Sequence, residues 1–324
     1  MAEANQFERL NQAIDALLAR RDSLPPPEEG ELTALVDLAA ELRALPRAEF
    51  RRRLKTQLEE KAAMSTTTVN PIREGFRTIT PYLIVRPAEE LLAFVKQAFG
   101  AQELMRGTGS AGGMHAEVRI GDSVVMLGGG PNLKAAPMPT SLWLYVRDAD
   151  AVFEAAVRAG ATVLKPPMDQ PYGDREGTVT DVGGNQWYIS THKGPSYVRE
   201  GMNDVNLYLH PTGALGLIEF MERAFLAQTL EKHAEPGGRL VHAQLRIGNS
   251  VIGMGEAQEL YPNMPTAIYM YVPDVDAAYL RAVAAGGTSL YPPADQPYGD
   301  RNAGVQDAWG NHWYISTHIR DVAP

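Results

Sequence analysis

The chain has no cysteine among its 324 residues. That absence excludes disulfides, thiolate metal sites and cysteine nucleophiles together. No apolar run approaches the about 18 residues that a membrane-spanning helix needs. The first twenty residues mix acidic with apolar side chains and lack a basic start before an apolar core, so no secretory leader is expected. Basic residues are outnumbered, 30 Lys and Arg against 39 Asp and Glu, for a net charge of −9. Neither the first 64 residues nor the remainder is net positive, which argues against nucleic acid or an anionic membrane as a partner. The phosphate-loop pattern GxxxxGK[ST], a GxGxxG after a strand and the GxSxG elbow are all missing. Gly128, Gly129 and Gly130 follow a strand pattern but lead into proline-rich sequence, and they read as a loop. What is there is globular, with 44% hydrophobic and 21% charged residues. The length suits about two domains, and a cytoplasmic location is the expectation.

The chain repeats itself. Asp169 to Arg175, reading Asp-Gln-Pro-Tyr-Gly-Asp-Arg, returns unchanged at Asp295 to Arg301. Gly-Asn-Gln-Trp-Tyr-Ile-Ser-Thr-His, ending at His192, returns with one change ending at His318, again 126 residues on. A third segment starting at His115 returns at His242, one residue further displaced. This order and spacing are a tandem duplication of a domain-sized unit, far longer than any solenoid repeat.

Each unit reads as mixed α and β. In the first, residues 79–85 form a strand and 88–99 carry Leu91, Leu92, Phe94, Val95 and Phe99 at helical spacing. Extended segments follow at 115–120, 123–127 and 141–146, with a tight turn at Gly121 and Asp122. A second helix covers 150–159 and stops at Gly160. Strands at 162–164, 177–180 and 186–190 complete the unit, so the outline is two βαβββ modules per unit. The organisation is a helical segment over 1–63, a linker over 64–74, unit 1 over 75–200 and unit 2 over 201–324. In the helical segment Leu10, Ile14, Leu17 and Leu18 form one stripe, and Leu32, Leu35, Leu38, Leu42 and Leu45 another. Packing on the body, a homodimer through these helices and partner docking are all open readings of it.

The strand ending at Val85, the helix ending Ala98-Phe99-Gly100-Ala101, the segment His115 to Val124 and the Gly-Asp-Arg…Gly-Asn-x-Trp…Thr-His ending resemble one family. They are similar to the PhnB-like branch of the glyoxalase/bleomycin-resistance/dioxygenase, or vicinal oxygen chelate, superfamily, over about residues 75–320 in two copies. The resemblance implies an α+β fold of paired βαβββ modules whose curled sheets enclose a cup. In metal-using members four side chains on the cup strands hold a divalent ion. Carried over, those positions fall on Thr80, Met126, Ser141 and Tyr188 in unit 1, and on Asp204, Gly253, Ala267 and Tyr314 in unit 2. Only Asp204 among them is a good ligand, whereas a catalytic metal needs about three protein donors. No metal and no other cofactor is therefore expected.

The resemblance leaves three readings open. One is a protein of the bleomycin-resistance type that binds a small amphipathic molecule. Another is a superfamily enzyme, a lyase, isomerase or dioxygenase, either metal-free or with a non-standard metal site. The third is an interaction protein that uses the helical segment. Candidate ligand contacts are Tyr188 and Tyr314 at the cup floor, Trp143 and Tyr269 beside them, Arg175 or Arg301 as guanidinium donors, and His115 or His242 at the rim. Each arginine is equally readable as half of a structural ion pair, and each repeated histidine as a strand cap. Because Gly253 and Ala267 are small, the second unit is expected to hold the roomier cup.

Overall fold

The structure is a computed structural model and describes residues 70–109, 112–133 and 136–322. The expected helices of residues 1–63, and any dimer through them, lie outside the described residues. Of the expected linker, Ile72 packs on a buried cluster and Arg73 pairs with the buried Glu117.

Sixteen strands and four helices are described. The first module runs β1 (Ile79–Val85), α1 (Ala88–Phe99), β2 (Gln102–Thr108), β3 (Met114–Ile120) and β4 (Ser123–Gly129). The second is β5 (Ser141–Tyr145), α2 (Ala149–Arg158), β6 (Thr162–Asp169), β7 (Asp174–Thr180) and β8 (Gln186–His192). The third is β9 (Val205–Leu209), α3 (Ala214–Phe225), β10 (Gln228–Ala234), β11 (Leu240–Ile247) and β12 (Ser250–Met254). The fourth is β13 (Ala267–Tyr271), α4 (Val275–Ala284), β14 (Thr288–Asp295), β15 (Asp300–Gln306) and β16 (His312–His318).

Local chemistry sets the elements. Helix α1 opens with Glu89 and Glu90, closes with Lys96, and stops at Gly100 in the left-handed conformation, so both ends suit the helix dipole. Asp148 and Asp274 cap α2 and α4, each carboxylate accepting an N–H at 3.0 Å, from Ala151 and Ala277. The Gly121 turn closes β3 on β4 as expected, pairing Ile120 with Ser123. The glycine run differs from its reading as a loop: Gly128 and Gly129 lie within β4.

The strands form two eight-stranded sheets. Sheet I has the order β14-β15-β16-β13-β1-β4-β3-β2, and sheet II the order β10-β11-β12-β9-β5-β8-β7-β6. Each sheet therefore takes one module from each unit. In sheet I, β1 runs antiparallel to β13 with Thr80 opposite Tyr269. In sheet II, β5 runs antiparallel to β9 with Trp143 opposite Asn206. The cups are thus shared between units, and the expectation of one cup belonging to the second unit is corrected. The cause is geometric: β1 and β5 each present a bare edge, and the partner that covers it comes from the other repeat.

Reciprocal bonds tie the two sheets. Asp122 and Asp204 exchange backbone-to-carboxylate bonds of 2.9 and 3.0 Å. Thr78 and Asn249 exchange backbone N–H bonds to each other's side-chain oxygen, Thr78 Oγ1 at 3.2 Å and Asn249 Oδ1 at 2.8 Å, in the corresponding place of the repeat. One face of each sheet joins a large core with the helices, including Leu83, Leu91, Leu142, Trp187, Leu207 and Trp313. The opposite faces form two smaller clusters. Val124, Met126, Tyr269 and Tyr271 lie on sheet I. Trp143, Tyr145, Tyr188 and Val251 lie on sheet II. These concave faces are the cups.

Candidate functional site

The repeated motifs turn out to build the walls. In β7, Asp174 lies opposite His192 of β8, and its buried carboxylate bonds His192 Nδ1 at 2.7 Å and Tyr145 Oη at 3.1 Å. In sheet I, Asp300 bonds His318 Nδ1 at 2.8 Å and the hydroxyls of Tyr269 and Tyr271 at 2.7 and 2.8 Å. The Gly-Asp-Arg and Thr-His motifs recur together because each supplies half of this Asp–His pair. The neighbouring arginines point to the opposite face. Arg175 bonds Asp150 of α2 at 2.7 Å and Asp169 at 3.3 Å; Arg301 bonds Asp276 of α4 and Asp295, both at 2.8 Å. Neither arginine joins the cup clusters. The Gly-Asn-x-Trp segment is structural as well. The Asp181 carboxylate accepts N–H groups of Gly183, Asn185 and Trp187, all within 3.1 Å, and Asp307 repeats this with Trp309, Asn311 and Trp313. Burial pushes both carboxyls above their ordinary range.

The remaining predicted residues divide between the cups. Tyr314, Tyr269 and His115 face the cup of sheet I. Tyr82 joins them there, its ring 6.0 Å from Tyr314 and its hydroxyl 3.2 Å from His115 Nδ1. Tyr188, Trp143 and His242 face the cup of sheet II. Tyr208 sits among them at 5.3 Å from Tyr188 and 5.6 Å from Trp143, and bonds His242 Nδ1 at 3.0 Å. The two cups are related by the repeat, with Tyr82 matching Tyr208 because each lies opposite the matching residue of its neighbour, Met126 or Gly253.

That match shifts one of the four metal positions. The counterpart of Thr80 is Asn206, and Asp204 stands two residues away, its carboxylate taken by Asp122 N–H and the Tyr197 hydroxyl, both at 2.9 Å. The cup quartets are therefore Thr80, Met126, Ala267 and Tyr314 in sheet I, and Ser141, Tyr188, Asn206 and Gly253 in sheet II. Neither quartet offers a carboxylate or imidazole, so these residues do not fit a divalent ion. Gly253 does not open the second cup either: a Cβ there would stand 2.6 Å from the Tyr208 ring, which already fills that space.

Sequence reasoning passes over several cup residues. Arg73 pairs with Glu117 in sheet I, and Arg199 bonds Asp174 at 3.1 Å in sheet II while lying 5.7 Å from the Trp143 ring. Their signal is a further repeat, Arg-Glu-Gly at 73–75 and 199–201. Glu176 is buried in sheet II, accepting from Ser190 at 2.7 Å and Tyr172 at 3.0 Å. Burial raises its carboxyl above the usual range, against those two bonds. Sheet I has Asn302 at this place, bonded to Ser316 at 2.6 Å.

The sharpest difference is His210. It is 7% exposed, and its Nε2 lies 2.7 Å from Tyr188 Oη. Its Nδ1 is buried without a hydrogen-bond partner. Burial pushes the imidazole down to about 4, so it is neutral near pH 7. Tyr261 stacks on it at 5.1 Å and 12°. Counting by the repeat, sheet I has Ile84 where sheet II has His210.

Paired βαβββ modules with concave aromatic cups define a glyoxalase-like protein. The family model for the Glyoxalase/Bleomycin resistance protein/Dioxygenase superfamily matches residues 76–189 and 217–315, and the chain belongs to that superfamily. An uncharacterized Mycobacterium tuberculosis protein is 38% identical over 122 residues, 34% of this chain and 72% of that protein. The Mycobacterium bovis protein named "Putative glyoxylase CFP32" is 29% identical over 204 residues, 58% of this chain and 77% of its own. Among solved structures, glyoxalase I from Zea mays superposes with a TM-score of 0.56 at 14% identity, covering 74% of this chain and 92% of its own; that likeness is one of fold. Among the described residues no helix is long and apolar enough to cross a membrane.

Proposed function

We propose that the chain binds a small amphipathic molecule in the cup of sheet II, and that the cup of sheet I serves the fold. The observation that carries this reading is His210 Nδ1, a buried polar atom without a partner. Such atoms are uncommon because desolvation without a hydrogen bond costs about 1–3 kcal/mol. A ligand bearing one complementary polar group would recover that cost while its apolar part covers Trp143, Tyr188 and Tyr208. In sheet I Ile84 stands at the position of His210, and among the described residues that cup has no buried ring nitrogen without a partner.

The test is a screen of small amphipathic molecules by thermal shift. For a hit, Tyr188→Ala should abolish the ligand-induced shift while Tyr314→Ala keeps it. Equal losses in the two variants would defeat the assignment to sheet II, and no loss in either would remove the cups from consideration.

A second reading is an enzyme working by acid–base chemistry without a metal. The Tyr188–His210 pair favours it, since a neutral imidazole bonded to a phenol at 2.7 Å fixes the direction of the phenol O–H towards a bound molecule. Turnover of a bound hit, lost in Tyr188→Phe while binding persists, would favour this reading over simple binding.

A further inference from the structure

The stack of Tyr261 on His210 carries a more specific inference, which rests on the binding reading above. Both members of the stack are peculiar to sheet II. His210 stands where the first unit has Ile84. Counting back from the shared Met-Pro-Thr at 138–140 and 264–266, Tyr261 stands where the first unit has Ala135. The duplication therefore did not supply this contact, and it sits beside His210 Nδ1, a buried nitrogen that lacks a partner.

Tyr261 comes from the connection between β12 and β13, which over residues 255–266 has no helix or strand. Its backbone bonds only to its own turn: Gln258 N donates to Tyr261 O at 2.8 Å, and Tyr261 N donates to Gln258 O at 3.1 Å. Beside it, Leu260 is exposed, and its carbonyl accepts a long 3.4 Å bond from Gln186 Nε2. The firmer ties lie towards the ends of the connection, where Ala257 N bonds Pro211 O at 3.0 Å and Asn263 Oδ1 accepts from Thr212 N at 3.3 Å. A turn bonded mainly to itself can lift as a unit without breaking the sheet. The Tyr261 ring covers His210 nearly face to face and lies 5.4 Å from Tyr188, which is the position a flat ring would take on this imidazole.

We propose that Tyr261 is a displaceable cap, and that the cup of sheet II takes an uncharged planar aromatic molecule that stacks on His210 in its place and directs one hydrogen-bonding group to His210 Nδ1. Charge of either sign is disfavoured because each would meet a like charge or a buried carboxyl already in the cup. Asp174 is matched by Arg199 at 3.1 Å, so an added anion would meet Glu176 and Asp174, and an added cation would meet Arg199.

The experiment uses the full chain and 1-naphthol, followed by isothermal titration and by the probe's own fluorescence. Tyr261→Ala should bind 1-naphthol about tenfold more tightly than the parent, because ligand no longer competes with the cap. Tyr261→Phe should bind like the parent, since it keeps the stack. His210→Ile, which installs the sheet I residue, should lose about tenfold. The anion 1-naphthoate and the non-planar decahydro-1-naphthol should each bind at least about tenfold more weakly than 1-naphthol. Circular dichroism of each variant checks the fold. Equal or weaker binding by Tyr261→Ala would overturn the cap, since the ring would then be part of the pocket wall. The binding reading would survive that result if Tyr188→Ala still abolished binding, and would fall with it if Tyr188→Ala bound normally. Absence of 1-naphthol binding to both parent and Tyr261→Ala would overturn the proposed ligand class.

Discussion

The hydroxyls of Thr140 and Thr266, 126 residues apart and equivalent in the repeat, meet at 2.8 Å. Each residue leads directly into a strand that borders the other unit, β5 in sheet II and β13 in sheet I. A residue that meets its own repeat counterpart marks the axis relating the two units, as in an isologous dimer fused into one chain. The halves are therefore mutually dependent: β1 needs β13, and β5 needs β9. Residues 70–200 expressed alone should form a dimer, with a second copy standing in for the missing unit, or should aggregate through the bared edges. Analytical ultracentrifugation decides between these outcomes and a stable soluble monomer, which would count against the exchange of modules.

Asp181 and Asp307 hold their loops by the same device, a buried carboxylate that gathers backbone, amide and indole N–H groups. Replacing either by alanine strands the Trp187 or Trp313 indole donor inside the core. Each variant should lose about 2–4 kcal/mol of unfolding free energy in urea titrations. A loss below about 0.5 kcal/mol at both positions would show that the loops are held by other contacts.

Much of this fold was legible because the relevant residues face a core. β1 and α1 match their expected bounds, since Leu83 and Val85 in the strand and Leu91, Leu92 and Val95 in the helix are all buried. β2 and β10 escape notice for the opposite reason: as edge strands they are largely exposed, so no alternation marks them. β6 is read too short because Pro166 and Pro167, acceptable at a sheet edge, look like a break. The exchange of modules between sheets is invisible because the two units offer nearly identical edges, and only tertiary packing chooses between them. Strand alternation leaves open which of Trp187 and Tyr188, or of Trp313 and Tyr314, faces the cup; the family resemblance chooses the tyrosines, with Trp143 and Tyr269 beside them. His210 was not legible, since it belongs to neither repeated histidine pair and sits where the first unit has an aliphatic residue.

The arginines of the repeated heptapeptide give a direct comparison between an ion pair and a ligand contact. Arg175 and Arg301 bridge a strand to an aspartate in the first turn of a helix and to an aspartate at the end of the neighbouring edge strand. All of these groups are partly or largely exposed, so the pairs are screened by solvent and contribute little. Arg175→Ala and Arg301→Ala should each lower the melting temperature slightly, more in low salt than in high, and leave the affinity of any cup ligand unchanged. A loss of ligand affinity of about tenfold in either variant would restore the arginine to the binding site.

The neutral His210 makes a prediction about pH. Burial lowers its pKa in the folded chain to about 4, against about 6.5 for an unperturbed histidine in the unfolded chain. Above pH 6.5 both states hold it neutral, and it imposes no proton-linked cost. As pH falls from 6.5 towards 4 the unfolded chain takes up the proton and the folded chain does not, so stability declines across that window and levels off below it. The full decline attributable to this one residue is about 3 kcal/mol. His210→Ile should flatten this part of the pH dependence, because the substituted side chain cannot titrate. Urea unfolding of the parent and of His210→Ile at pH 7 and pH 4.5 isolates the effect, since other groups titrate alike in both. The difference in unfolding free energy between the two proteins should move by about 2–3 kcal/mol towards the variant on acidification. A constant difference would mean that His210 becomes protonated in the folded cup at its ordinary pH, and the buried, unpaired nitrogen on which the binding reading depends would have to be reached by water.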